Sequence, residues 1–325
     1  MSALPFADPF CSPEDLEEAL ALLAQGGWRP IAGGTDFYPA HVNRPIREAL
    51  LNLQELGRLR GITCVSRPEA KAVLRIGALS TWTDLRVTRW PAGLEALADA
   101  AAEIGGLQVQ NRGTLGGNVC NASPAADSVP VLLALNARVE LLSVRGRRQL
   151  GLADFILGNR RTARAPDELL VAIEIPLPSS RARSIFFKLG HRRFLVISVV
   201  MLAVMIDVDS AGRIEQSAIA VGACSEVAQR LHLLEESLLG CASESAAERA
   251  AQLLHDNRAI MLQPLSAIDD VRGTASYRLD ALGTLIPRAL SAVAEHLPKG
   301  PEPREVSGPS ARIFSDSGGS HRGLP

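Results

Sequence analysis

Two short glycine-containing segments carry most of the chemistry that this sequence could perform. They are Ala32-Gly33-Gly34-Thr35-Asp36 and Gly113-Thr114-Leu115-Gly116-Gly117-Asn118. Paired glycines let a backbone approach a ligand closely and adopt positive φ, and successive exposed amides in such turns bind anions. Thr and Asn side chains add neutral hydrogen-bond donors. Each segment alone also fits an ordinary turn, but together they predict a site that holds one pyrophosphate from two sides.

Several common enzyme classes are excluded by motifs that the sequence lacks. GxGxxG, GxxxxGK[ST], GxSxG and HExxH do not occur, which argues against a Rossmann dinucleotide site, a P-loop NTPase, an α/β-hydrolase and a zinc peptidase. The five cysteines form no CxxC pair. We therefore expect neither a disulfide framework nor an iron–sulfur centre in this chain, as is typical of a protein in a reducing cytoplasm.

Composition and charge set the scale of the molecule. The 325 residues are 47% hydrophobic and 21% charged, which suits a packed core in about two domains. A net charge of −1 and 4% aromatic residues argue against nucleic acid as the main partner. The most apolar run, Phe194–Ile206, is shorter than the ~20 residues of a membrane span, and Met1–Pro5 shows no signal-peptide pattern. We expect a cytoplasmic protein without a membrane span.

The elements around the first glycine segment predict a small βαβ-type unit over residues 1 to about 57. Ser12-Pro13-Glu14-Asp15 offers an N-cap hydroxyl and a proline at the first helical position, and Gly26-Gly27 ends that helix. A short strand, Arg29–Ala32, leads into the glycine segment. Farther on, Ser80–Asp84 indicates a second helix start, whereas the polar, glycine-rich stretch Asn111–Ser128 is interpreted as a loop.

The second half of the chain predicts strands first and helices afterwards, which is typical of an α+β domain. A strand predicted at Leu169–Ile175 precedes this part, and its own strands are predicted at Ile185–Leu189, Val196–Val208 and Ile214–Val221. The helices are predicted at Ala228–Leu239, Ser245–Leu254 and Tyr277–Leu297. Of the last 28 residues, 15 are Pro, Gly or Ser, a composition that predicts a disordered tail.

Taken in order, these motifs resemble the FAD-binding medium subunits of the molybdenum hydroxylases, the family of xanthine dehydrogenase and carbon monoxide dehydrogenase. The two glycine segments, followed by Ala122-Ser123-Pro124-Ala125-Ala126-Asp127-Ser128, are similar to the family's paired FAD loops. Lys188-Leu189-Gly190-His191-Arg192-Arg193 is similar to the start of its C-terminal flavoprotein domain. Asp270–Arg278 resembles the motif before its final helix.

The resemblance implies an α+β fold with non-covalently bound FAD. A two-part FAD-binding domain of the vanillyl-alcohol-oxidase-like (PCMH-type) class precedes a C-terminal flavoprotein domain with a small antiparallel sheet and helices. We expect FAD-binding subdomain 1 at residues 1–57, subdomain 2 at 58–176, the C-terminal domain at 177–293 and the disordered tail at 294–325. His41 and Cys120 lie near the glycine segments, but family members hold FAD without a covalent bond.

The resemblance also implies a set of FAD ligands. They are Ala32, Gly33, Gly34, Thr35, Asp36, Thr114, Gly116, Gly117, Asn118, Asp127, Leu170 and Lys188. In this set the four glycines present amides to the pyrophosphate, Asp127 contacts the adenosine half and Leu170 packs against the isoalloxazine ring. Lys188 lies near the pyrimidine edge, where a cation stabilises the reduced flavin. The alternatives are a helix cap for Asp127, ordinary core for Leu170 and a solvated strand end for Lys188.

The function implied is that of an FAD-dependent oxidoreductase subunit with no catalytic residue or metal ligand of its own. A partner subunit with [2Fe–2S] clusters supplies electrons, another carries the molybdenum cofactor, and FAD passes the electrons to an acceptor. The acceptor stays open between NAD and another molecule, because Ile104, Leu195 and Val196 replace residues of NAD-using relatives. Two alternatives are a stand-alone FAD-dependent oxidoreductase of the same fold and a non-redox assembly subunit.

Overall fold

The computed structural model describes residues 10–67 and 70–298. The first described elements form a small parallel sheet. Its elements are β1 (Phe10–Cys11), α1 (Leu16–Gln25), β2 (Trp28–Ile31), α2 (Phe37–Ala40) and β3 (Ala49–Asn52), followed by a 3₁₀ turn at Gly57–Leu59. The strands lie in the order β1-β3-β2, and both pairings are parallel. The predicted βαβ-type arrangement is present over Phe10–Asn52, and residues 1–9 of the predicted unit lie outside the described residues.

Helix α1 ends where the sequence predicts but begins three residues later. Gly26 caps its C-terminus with φ +80°, a conformation that favours glycine. At the N-terminus the cap is Asp15, whose Oδ1 accepts a hydrogen bond of 2.8 Å from the Glu18 amide. The prediction of Ser12 as the cap was wrong, because its hydroxyl instead accepts a hydrogen bond from Asn52 Nδ2 at 3.0 Å. Ser12 therefore ties α1 to β3.

A five-stranded antiparallel sheet and its helices form the next part of the chain. The elements are β4 (Ile62–Arg67), β5 (Ala70–Gly77), α3 (Trp82–Val87), α4 (Ala96–Glu103), α5 (Leu107–Arg112), α6 (Leu115–Asn121), α7 (Ser128–Ala134), β6 (Arg138–Ser143), β7 (Gly146–Gly151), α8 (Leu152–Phe155), β8 (Ile156–Gly158), β9 (Arg161–Thr162) and β10 (Leu169–Pro176). The strand order is β4-β5-β10-β6-β7, and β8 pairs only with β9 among the described residues. The helix start predicted at Ser80–Asp84 is present, and a capping box joins Thr81 and Asp84.

A four-stranded antiparallel sheet and three helices complete the described chain. They are β11 (Arg183–Leu189), β12 (Val200–Val208), β13 (Ile214–Gly222), β14 (Gln229–Arg230), α9 (His232–Leu238), a 3₁₀ turn (Ser243–Ser245), α10 (Ala246–Met261) and α11 (Ala275–His296). Residues 190–199 form a loop, so the strand predicted from Val196 begins four residues later. The helix predicted from Ala228 also begins later, because Gln229–Arg230 pairs with β13. Most of the predicted tail, residues 299–325, lies outside the described residues.

Strand β12 explains the most apolar run of the sequence, because both of its faces are covered. Met201, Ala203 and Met205 belong to the core that surrounds α7 and the five-stranded sheet. Their neighbours Leu202, Val204 and Ile206 pack in a second core with α11. Alternate residues of a strand point to opposite faces, so this strand joins the two cores. Across residues 10–67 and 70–298, no helix has both the length and the apolar character needed to cross a membrane.

Candidate functional site

The two glycine segments meet at one cleft of about 420 Å³. Gly33 packs directly on the backbone before the second segment, since a Cβ built there would lie 1.8 Å from the carbonyl oxygen of Arg112. Ten of the residues implied as FAD ligands line the cleft: Ala32, Gly33, Gly34, Thr35, Asp36, Thr114, Gly116, Gly117, Asn118 and Leu170. Gly33 therefore allows the two glycine segments to pack against each other.

The first segment offers free backbone donors to this cleft. The amides of Gly33, Gly34, Thr35 and Asp36 have no acceptor among the described residues. Gly34 has φ +68°, and a Cβ there would lie 2.5 Å from the ring of Tyr38. This turn is therefore glycine-dependent in the way the sequence predicts, and its successive amides form a site suited to an anion.

The second segment is the first turn of α6 rather than a loop, which corrects the sequence-based interpretation. Thr114 is the N-cap, and its Oγ1 accepts a hydrogen bond from the Gly117 amide at 3.1 Å. The Gly116 amide donates to the carbonyl of Ala78 at 2.9 Å. These bonds engage both amides within the chain, and the expected donation of Gly116 and Gly117 to a pyrophosphate stays a prediction. Gly116 also permits close packing, since its Cβ would lie 2.7 Å from the oxygen of Ala78.

Two side chains next to these glycines remain available as donors. Asn118 lines the cleft, and its Oδ1 accepts a hydrogen bond of 2.7 Å from the hydroxyl of Ser128. This bond leaves the Nδ2 group of Asn118 without an acceptor in the described part of the chain. Thr35 also lines the cleft without a side-chain partner among the described residues. The cleft therefore has neutral donors on both of its sides.

An apolar wall closes another part of the cleft. Leu170 lies on β10 at a register shift against β6, is 6% exposed and lines the cleft. Leu170 also belongs to the core around the five-stranded sheet. The core alternative is therefore confirmed, and its packing against a flavin ring stays a prediction. Further apolar lining residues include Ile31, Leu53, Leu59, Leu79, Trp82, Ile104, Val109 and Leu169. Such a wall can cover a planar ring system by hydrophobic contact.

Asp127 and Lys188 pair with each other and lie outside the residues that line this cleft. Lys188 Nζ lies 2.7 Å from Asp127 Oδ2, and the two side chains are 6% and 8% exposed. Asp127 Oδ1 accepts a 2.6 Å hydrogen bond from the Ser198 hydroxyl. Burial raises the pKa of the Asp127 carboxyl, and the charge and hydrogen bonds of Lys188 oppose that rise. Neither alternative for the two residues holds, because Lys188 is not solvated and Asp127 makes no side-chain cap bond.

The pair is nevertheless connected to the cleft through the backbone. Lys188 Nζ also donates to the carbonyl of Glu103 at 3.1 Å, and the next residue, Ile104, lines the cleft. A buried polar connection therefore runs from Ser198 through Asp127 and Lys188 to the wall of the cleft.

The two other motifs that carry the family resemblance, one in the loop after β11 and one before α11, make hydrogen bonds within the chain. In Asp270–Arg278, the fully buried Arg278 guanidinium donates to the carbonyls of Val199 and Ala223, each at 2.6 Å, and to Asp270. These bonds fix the ends of β12 and β13. In the loop 190–199, Arg192 donates to the carbonyl of Leu195, and Arg193 stacks over the ring of Phe194.

Three cations at the cleft were not found from the sequence. Arg29, Arg160 and Arg164 line it, and no spacing rule relates them to the glycine segments. His41 and Cys120 line it as well, and burial raises the pKa of the Cys120 thiol to about 11. At neutral pH this thiol is protonated and hence a poor nucleophile, which fits a ligand held without a covalent bond.

The donor set fits FAD. Free amides and nearby cations suit a pyrophosphate, and the apolar wall suits a flat ring. The absence of a Cβ at Gly33 lets the first segment pack on the backbone of Arg112, which places these donors beside the second segment.

Comparisons with known proteins point in the same direction. Residues 4–178 match the model of the FAD-binding domain in molybdopterin dehydrogenase, and residues 185–293 match the CO dehydrogenase flavoprotein C-terminal domain. The nicotinate dehydrogenase FAD-subunit of Eubacterium barkeri is 34% identical over 76% of this chain and 85% of that protein. The carbon monoxide dehydrogenase medium chain of Hydrogenophaga pseudoflava is 30% identical over 86% of this chain and 95% of that protein.

A solved structure has the same architecture. A chain of the Cu,Mo-CO dehydrogenase superposes with a TM-score of 0.77 at 27% identity, over 90% of this chain and 99% of that chain.

Proposed function

This chain belongs to the family of FAD-binding medium subunits of the molybdenum hydroxylases, and we propose that it binds FAD in the cleft between its two glycine segments. Membership makes it an FAD-dependent oxidoreductase subunit with the α+β fold expected from the sequence. The observation that carries the location is the row of free amides from Gly33 to Asp36 at a cleft with an apolar wall.

In this proposal the chain's own residues divide the work of holding FAD. The amides of Gly33–Asp36 donate to the pyrophosphate, and Thr35 and Asn118 add side-chain donors. Leu170 and its apolar neighbours cover a ring of the cofactor, and the Asp36 carboxylate accepts from a hydroxyl. Thr114, Gly116 and Gly117 build the opposite wall, because their own hydrogen bonds dock α6 against Ala78.

We assign Asp127 and Lys188 a positioning role in the same site. Asp127 is buried between Lys188 and Ser198, which each bond one of its oxygens, and neither Asp127 nor Lys188 lines the cleft. The bond from Lys188 to the carbonyl of Glu103 supports a simpler role. It fixes the backbone next to Ile104, in the wall of the cleft.

The chain's proposed place is in an electron-transfer complex. When bound, FAD supplies the exchange between one-electron donors and a two-electron acceptor. We propose that a partner with [2Fe–2S] clusters is the donor, that another partner carries the molybdenum cofactor, and that NAD or another molecule is the acceptor. The names of the related subunits and the likeness to a Cu,Mo-CO dehydrogenase chain support this assignment.

We also propose the division into residues 1–57, 58–176, 177–293 and a tail from 294. Two observations support it. The two family matches meet between residues 178 and 185, and the three main sheets each fall within one segment. Helix α11 ends at His296, three residues beyond the proposed domain end at residue 293, so residues 294–296 are helical and not part of a disordered tail.

Purification of the assembled complex tests the function. An affinity-tagged chain should co-purify with the two proposed partner subunits, and the complex should contain molybdenum, iron and FAD. Anaerobic addition of a hydroxylation substrate, from a panel that begins with nicotinate and carbon monoxide, should bleach the iron–sulfur and flavin absorption bands together. Dithionite serves where no substrate reduces the complex.

Three other outcomes contradict the proposal. Reduced iron–sulfur clusters beside a flavin that stays oxidised would favour a non-redox assembly subunit. Turnover by the purified chain without partners would favour a stand-alone oxidoreductase. A complex without flavin would remove the FAD site itself.

A further inference from the structure

We propose that Arg160 is a cation that pairs with the pyrophosphate of bound FAD, an inference that rests on the function proposed above. Arg160 lies in the two-residue turn between β8 and β9, at the rim of the cleft. Its guanidinium Nη1 donates to Asn121 Oδ1 at 3.0 Å. The described residues place no carboxylate in an ion pair with it.

The other two arginines of the cleft are already engaged. Arg29 forms hydrogen bonds of 2.8 and 2.6 Å with the carboxylate of Glu48 and lies over the ring of Phe37. Arg164 Nη1 donates to backbone carbonyls, with its shortest bond of 2.6 Å to Glu168. Arg160 has one neutral partner, so most of its five donors stay available for an anion.

The backbone at Arg160 is held in a conformation that an L-residue seldom adopts. Its φ is +56°, in the left-handed region that normally favours glycine or asparagine. The Arg160 amide donates to the carbonyl of Ala122 at 2.9 Å, and the Asn159 amide donates to Glu226 at 2.9 Å. Because both ends of the turn are tied, the guanidinium is presented from a fixed base.

The position of Asn121 brings this guanidinium next to the proposed pyrophosphate donors. Asn121 and Asn118 are three residues apart on α6 and both line the cleft. Residues at that spacing lie on the same helix face, about 5–6 Å apart at Cβ. Arginine suits a phosphate, since its planar fork can donate two parallel hydrogen bonds. The rim of the cleft therefore supplies the positive charge that the neutral amides lack.

Titration of the full-length, flavin-free chain with FAD and with riboflavin tests the proposal. Arg160→Gln removes the charge but keeps a donor for Asn121, and Arg160→Lys keeps the charge. The matched control is Arg161→Gln, on the same hairpin, whose guanidinium donates to the carbonyl of Leu157. We expect Arg160→Gln to weaken FAD binding about tenfold, the loss of one charge-assisted contact at an exposed site. Riboflavin, which has no phosphate, should bind both proteins equally.

Salt gives a second readout that a merely structural role would not change. FAD binding by the wild type should weaken with salt more steeply than binding by Arg160→Gln. Arg160→Lys should recover part of the affinity, and Arg161→Gln should match the wild type. Unchanged FAD affinity in Arg160→Gln, or an equal loss for riboflavin, would overturn the proposal while leaving the FAD site in place. A wild type that binds no FAD would instead overturn the proposed function, and this inference with it.

Discussion

At the residue scale, the glycines show what the sequence could and could not predict. Each glycine pair correctly marked a place where the backbone allows a close approach. What approaches differs: a ligand can reach the first segment, whereas the chain itself packs against the second. Gly34 supports a turn with free amides, whereas Gly116 is needed because it packs on Ala78. Sequence spacing cannot distinguish a glycine that contacts a ligand from one that contacts another part of the chain, because neither position has room for a Cβ.

Asp127 and Lys188 carry the same lesson. The resemblance singled out both residues, but their pairing joins positions 61 residues apart. No local pattern encodes such a contact, since it depends on how β11 packs beside the start of α7. Their burial means that each charge depends on the other, because an isolated buried charge is strongly unfavourable.

Removal of one partner should therefore destabilise the protein. We expect Lys188→Met to lower the free energy of unfolding by about 3 kcal/mol, because it leaves the Asp127 carboxylate buried with only the Ser198 hydroxyl. The double variant Asp127→Leu with Lys188→Met should recover much of this loss. Urea unfolding at pH 7 measures both, with Arg193→Met on the exposed loop as the control. A single variant as stable as that control would show that the pair contributes nothing.

At the element scale, the described structure follows the sequence wherever periodicity and caps act locally. The glycine stop of the first helix and the helix start at Thr81 are examples, whereas the predicted cap Ser12 bonds Asn52 instead. The errors arise where tertiary contacts decide. The stretch 111–128 contains α6 because Thr114 caps it and Ala78 accepts from it. The run from Val196 to Val199 is apolar but leaves the sheet, and Ile197 within it is 63% exposed.

The connection between β9 and β10 is a further case in which one residue organises an element. Glu168 receives two hydrogen bonds from Arg148, of 2.6 and 2.7 Å, and one of 2.8 Å from the amide of Ala165. It directly precedes Leu169 and Leu170, which line the cleft. The hydrogen bonds from Arg148 are the main cause that lowers the pKa of Glu168 below its ordinary value.

This shift predicts a pH-dependent contribution to stability. A carboxyl with a lowered pKa in the folded state stabilises the protein above its unfolded pKa of about 4.3. That contribution disappears as the pH falls through the folded pKa. We expect Glu168→Gln to be about 2 kcal/mol less stable than the wild type at pH 7, and the difference to shrink as the pH falls below the unfolded value.

Thermal or urea unfolding across this pH range measures the effect. The neighbouring Asp167→Asn is the control, because Asp167 pairs with Arg145, whose side chain is 64% exposed. An exposed pair of this kind contributes about 0–1 kcal/mol. A difference in unfolding free energy between Glu168→Gln and the wild type that stays constant with pH would contradict this role of the Glu168 carboxylate.

At the scale of the whole molecule, the cleft depends on the C-terminal part of the chain. The core around α7 includes one face of β12, and Arg278 on α11 fixes the ends of β12 and β13. Lys188, just before the loop 190–199, and Ser198, within it, both bond Asp127, and Lys188 also bonds the carbonyl of Glu103 beside the cleft wall. The sequence predicted two parts and their order, but the core that joins them depends on which face of β12 meets α7.

The central claim is that FAD binds where Gly33 brings the two segments together. Fluorescence titration of the flavin-free chain with FAD tests it most directly, on the wild type, Gly33→Ala and Gly57→Ala. A Cβ at Gly33 would lie 1.8 Å from the carbonyl oxygen of Arg112, whereas one at Gly57 meets no atom within 4 Å. Circular dichroism confirms that each variant is folded.

We expect the wild type and Gly57→Ala to bind one FAD per chain with equal affinity, and a folded Gly33→Ala to lose most of that affinity. Equal binding by all three proteins would place FAD elsewhere and contradict the account.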